Sequence, residues 1–100
     1  MTYANPAERD DLIAGLRALA AFLTEHPDIP TPRWTDVMVF PEGSDADAQA
    51  EVNEIATRIG AEITDATTCG GHYTTSRAFG PVEYKAVAIP TEKKRGSEHR

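Results

Sequence analysis

Cys69-Gly70-Gly71-His72 sets a thiol and an imidazole three residues apart across two glycines. Such a pair can act as nucleophile and base, or supply two ligands to zinc. Nucleophilic chemistry also needs a group to orient the base, and a structural zinc site needs four ligands. His26 and His99 are the remaining histidines. One lies beside a proline-rich stretch and the other in a short basic tail, so neither completes a set. The plainer reading is a loop whose glycines supply backbone angles that other residues avoid. On this pattern no catalytic residue, cofactor-binding residue or metal ligand is assigned.

A second candidate runs from Val39 to Asp47: strand, glycine-containing loop, helix start. Backbone N–H groups at a helix N-terminus can hold a phosphate. The stretch lacks the Gly-x-x-x-x-Gly-Lys pattern, and Glu42, Asp45 and Asp47 would surround the anion with negative charge. An ordinary capped helix accounts for the same residues. Asp45, Asp47, Glu51 and Glu54 also suggest an acidic mimic of nucleic acid, since 47, 51 and 54 share one helical face. A solvated polar face gives the same pattern.

A third group is Tyr73, Arg77 and Tyr84. If Gly80-Pro81 is a two-residue turn, Phe79 faces Val82, Arg77 faces Tyr84, Thr75 faces Ala86, and Tyr73 faces Ala88. Alternation puts all of these on one sheet face, with Arg77 expected at its rim, stem buried and head in water. The opposite face carries Val87 and Ile89 beside His72 and Thr74. An apolar patch beside an edge strand invites pairing with another chain. Tyr73, Arg77, Tyr84, Val87 and Ile89 are therefore the candidate interaction residues. A homodimer or partner complex built on the last hairpin is the expected use of Val87 and Ile89.

The elements that must position these groups follow from pattern and punctuation. Asn5-Pro6-Ala7-Glu8 is a helix start with a capping box, and Leu12, Ile13, Leu16, Leu19, Ala20 and Leu23 recur at helical spacing. Pro27 ends that helix near Glu25. Pro27, Pro30 and Pro32 make a stiff connector, which Trp34 is expected to pin to the core. Val37 to Phe40 reads as a strand. Ser44 caps a second helix with its apolar stripe at Ala48, Val52, Ile55, Ala56 and Ile59, closed by Gly60. Ala61–Thr64, His72–Phe79 and Val82–Ile89 read as strands, the last two a hairpin. The expected fold is α+β in the order α-β-α-β-β-β. Two helices pack on one face of a three- to four-stranded, mostly antiparallel sheet, and the β-α-β step at 37–64 permits a parallel pairing. Residues 1–90 are expected to form a single domain and residues 91–100 a disordered basic tail.

One hundred residues suffice for one core without staples. With one cysteine there is no internal disulfide, which suits a reducing cytoplasm. Neither a secretory leader nor a membrane span is expected. Residues 1–91 carry six basic and fourteen acidic residues, a net −8, and residues 92–100 carry four basic and two acidic, a net +2. An acidic body repels phosphate backbones, so general nucleic-acid binding is not expected. The cluster Lys93-Lys94-Arg95 is too small to reverse that field.

Leu16 to Leu23, Asp36-Val37-Met38-Val39-Phe40-Pro41, Gly71-His72-Tyr73 and Phe79-Gly80-Pro81-Val82-Glu83-Tyr84 resemble phrases in short α+β proteins of actinobacteria and their phages. The resemblance spans most of the chain and implies a bacterial cytoplasm, on a phage or mobile element. Its motifs are packing and turn patterns, so it carries over no functional residue. The expectation is a small non-enzymatic accessory or regulatory protein that binds a protein partner or itself, with no cofactor. The alternatives are a small enzyme or small-molecule binder using His72, Tyr73, Arg77 and Cys69, or the acidic mimic.

Overall fold

The computed structural model describes residues 3–91. The expected tail lies outside the described residues from position 92 onward. The described chain forms two compact units, one spanning Tyr3–Arg33 and the other beginning at Trp34.

The first unit is the helix α1 (Pro6–Glu25) and the connector after it. Asn5 accepts the Glu8 N–H at 2.8 Å, and the Glu8 carboxylate accepts the Asn5 N–H at 3.0 Å. This reciprocal capping box, with proline in the first turn, fixes where the helix starts. At the other end the His26 N–H donates to the Phe22 carbonyl, and the His26 ring stacks on Phe22 at 4.3 Å. Pro27 then stops the helix, as the sequence requires. No residue of α1 is buried.

The second unit contains β1 (Thr35–Val39), α2 (Asp45–Ile59), β2 (Ile63–Asp65), a 3₁₀ turn (Thr67–Cys69), β3 (Tyr73–Phe79) and β4 (Val82–Ala88). Two helices and a four-stranded mixed sheet thus follow the expected order. The strand order is β1-β4-β3-β2. β3 pairs antiparallel with β4 and with β2, and β1 pairs parallel with β4. The parallel partner of β1 is therefore β4, not the strand at the end of the β-α-β step, because β1 and β2 lie at opposite edges. Burial explains the order. β4 carries Ala86, Val87 and Ala88, all buried, and takes the centre. β2 is three residues long and ends Thr64-Asp65, which suits an edge.

The hairpin register is the one read from the turn: Phe79 opposite Val82, Arg77 opposite Tyr84, Thr75 opposite Ala86 and Tyr73 opposite Ala88. Gly80, the first residue of the two-residue turn, has φ of 64°, a conformation that favours glycine.

The sheet face bearing these residues is filled by α2. Ala48 and Val52 meet Ala86 and Ala88, with Val39, Ile55, Ile63 and Tyr73 packed around them. Ser44 accepts the Asp47 N–H at the helix start, and Gly60 ends the helix in the left-handed conformation. The core is made largely of alanine, so helix backbone and sheet backbone approach closely. Thr75 is the buried polar residue of this layer. Its hydroxyl donates to the Glu62 carbonyl at 2.9 Å, tying β3 to the chain entering β2.

Candidate interaction surface

Tyr73 and Arg77 lie on one face of β3, four residues apart, and both reach α2. The Tyr73 hydroxyl donates to the Asn53 side-chain carbonyl at 2.7 Å. The Arg77 guanidinium donates to the Ile59 carbonyl at 3.3 Å, near the end of α2. Helix-terminal carbonyls lack intrahelical donors and carry partial negative charge, so a cation there is favourable. The same guanidinium lies 5.2 Å from the centre of the Phe79 ring, within cation–π range. Tyr84 stands opposite Arg77 and is half-buried. Arg77 thus stands at the rim, but its head, expected in water, is bonded to a helix end and lies over an aromatic face.

Arg77 also marks where α2 ends. Phe79 and Val82 lie one step further along the same face, towards the turn, beyond the helix terminus. Phe79 is 58% exposed and Val82 is 40% exposed. At this end of the sheet the Thr35 N–H donates to the Pro81 carbonyl, and Trp34 beside it is 66% exposed. Trp34 therefore does not anchor a core, contrary to expectation. It immediately precedes an edge strand whose neighbours leave its ring uncovered. The sequence signal for Phe79 and Val82 was available: the apolar stripe of α2 stops at Ile59, too early to cover the turn.

The other expected interface residues lie elsewhere. Val87 is 4% exposed, so it offers no surface for association. Ile89 is half-buried. β4 is flanked by β1 on one side and β3 on the other, so the last hairpin contributes no β4 edge. On the face opposite α2, Lys85 lies 3.7 Å from Asp36 and 4.0 Å from Glu83.

Cys69 is an exposed thiol. Its loop is held from within, because the Ala66 carbonyl accepts N–H groups from both Cys69 and Gly71, and the Ala66 N–H donates to His72. A Cβ at Gly71 would lie 2.8 Å from the Ala66 Cβ, so glycine is needed there for close approach. Asp65 begins the loop by accepting the Thr67 hydroxyl at 2.6 Å and the Thr67 N–H at 3.0 Å. The hydroxyl bond first, and the N–H bond second, hold the Asp65 carboxyl below its ordinary pKa. No group of three or more metal-ligating side chains occurs among the described residues.

At the start of α2, Asp45 accepts the Thr91 N–H at 2.8 Å and is also bonded by the Thr91 hydroxyl. Glu54 pairs with Arg58 at 3.3 Å. Among the described residues no helix is long and apolar enough to cross a membrane. A scan against protein-family models and searches of curated proteins and of solved structures found no match.

Proposed function

We propose that the protein is a small accessory or regulatory factor that acts by binding another protein, without chemistry of its own. One observation carries this reading. The hairpin end of the sheet presents Phe79 beneath the Arg77 guanidinium, with Val82 alongside, past the end of the covering helix. Aromatic residues and arginine are the types that interface cores favour, and Phe79 and Arg77 reach solvent already held in place. The partner surface that fits is apolar at its centre with an acidic group at its rim, positioned to meet the guanidinium. Following the resemblance noted above, the proposed setting is a bacterial cytoplasm, on a phage or mobile element.

The test compares two baits in lysate of the source organism, wild type and Phe79→Asp. An exposed substitution of this kind leaves folding nearly unchanged. The expected result is a partner captured by wild type and lost at least tenfold with the variant, on the order of 1.4 kcal/mol or more. Equal capture by both baits would overturn the reading.

A further inference from the structure

β1 is one edge of the sheet, and its backbone geometry says what the edge can accept. The Thr35 N–H donates to the Pro81 carbonyl, so Thr35 turns its backbone groups to β4. Backbone groups alternate in direction along a strand. Thr35, Val37 and Val39 therefore turn theirs to β4, while Asp36 and Met38 turn theirs outward. Edge strands are usually blunted by lysine, proline, a bulge or short length. β1 has no lysine or proline in its five residues, and its register with β4 runs without a bulge. The other edge, β2, is three residues long and ends in Asp65.

We infer that β1 is a dimerisation edge, pairing antiparallel with β1 of a second copy about a two-fold axis at Val37. This inference does not rest on the hairpin-end reading, which concerns Phe79 and Val82 on the sheet face that bears α2. Only registers that set outward-facing groups of both copies against each other form a ladder. The axis must then lie at Asp36, Val37 or Met38. An axis at Asp36 sets two carboxylates face to face, which is destabilising. An axis at Met38 leaves Trp34 opposite Glu42. An axis at Val37 sets Asp36 opposite Met38 and, one step beyond the strand, Trp34 opposite Phe40. By alternation these four share the face opposite α2. Trp34, Met38 and Phe40 are among the most exposed large apolar residues of the second unit, the last two at 42% and 45%. One register thus covers all three in both copies, with an aromatic pair at each end. Asp36, the charge on this edge, already has Lys85 as its partner. Within the second unit, α2 makes its main contacts with β4, β3 and β2. The result is a continuous eight-stranded sheet with both copies of α2 on one face.

The experiment uses the full chain with Cys69→Ser and one added cysteine. Opposed residues at a non-hydrogen-bonded antiparallel position have Cα atoms about 4.5 Å apart, within the range that a disulfide bridges. Val37→Cys should give a covalent dimer under mild oxidation, and Met38→Cys should not, because it faces Asp36 of the other copy. Sedimentation of the wild type should show a dimer, and hydrogen exchange should show the Asp36 and Met38 amides protected more strongly as concentration rises. A wild type that stays monomeric at every concentration overturns the inference, as does cross-linking through Met38→Cys or through neither variant. If Val37→Cys fails to fold, the wild-type exchange pattern decides. Unprotected Asp36 and Met38 amides at dimer-forming concentrations reject the edge.

Discussion

Thr75 is the residue on which the helix–sheet layer can be tested most directly. It is buried in an alanine-rich core, where its hydroxyl satisfies the Glu62 carbonyl. Thr75→Val keeps the shape and removes the donor, leaving a carbonyl without its partner. That costs about 1–3 kcal/mol, while Thr75→Ser should retain the bond and lose only a methyl contact. Urea melts of the two variants separate these readings, and equal stability of valine and threonine would mean the carbonyl finds another donor. Asp65 offers a second test at the same scale. Its two bonds from Thr67 favour the carboxylate, so its folded pKa lies below its unfolded one. Its contribution to stability is therefore complete above the unfolded pKa and is lost as pH falls through the folded value. NMR titration should show Asp65 titrating below ordinary aspartates, and Thr67→Val should raise it. An unchanged value in that variant would remove the Thr67 hydroxyl as the leading cause.

At the scale of elements, the α2–sheet layer is held by small side chains on both sides. Ala86 is fully buried beneath the helix, beside Val52, itself fully buried. Ala86→Leu must push the helix away, at about 1–3 kcal/mol. Val52→Ala loses two carbons from a closed site, about 2 kcal/mol by the worth of a buried methylene with some cavity cost. Thermal melts of each check both numbers, and an Ala86→Leu protein as stable as wild type would show the layer is looser than its burial implies. These elements were legible in the sequence where local chemistry decides them. The capping box at Asn5, Pro27, Ser44 and Gly60 set helix limits, and Gly80-Pro81 set the hairpin register. Strand order was not legible, because the parallel partner of β1 is chosen by which strand is buried most, a property of the assembled sheet. The same cause hid the surface residues. Arg77 at the rim followed from alternation, but the exposure of Trp34 and Phe79 depends on where α2 stops and where the edge falls. Val87 looked exposed by alternation alone and is buried.

For the whole molecule the dominant feature is charge. Residues 1–91 carry fourteen acidic against six basic side chains. The ion pairs that offset them are few among the described residues. Arg58–Glu54 is well exposed, and Lys85 is shared between Asp36 and Glu83. The exposed pair contributes roughly 0–1 kcal/mol, and the half-buried Lys85 contacts are long, at 3.7 and 4.0 Å, so attraction is weak while the excess of like charge acts throughout the chain. Self-repulsion of that kind destabilises the compact state and is screened once the Debye length falls below the charge spacing, about 10 Å at 0.1 M salt. The expected outcome is that sodium chloride raises the melting temperature between about 0.02 and 0.5 M, where the Debye length shrinks severalfold. Charge reversal at an unpaired acid, such as Glu51→Lys, should mimic part of that gain at low salt and reduce the further gain from salt. Repeating the melts at dilute and concentrated protein separates screening from association, since screening acts equally at both. A melting temperature that falls as salt is added would show that the few attractive pairs outweigh the repulsion, and that the acidic excess is spread too thinly to strain the fold.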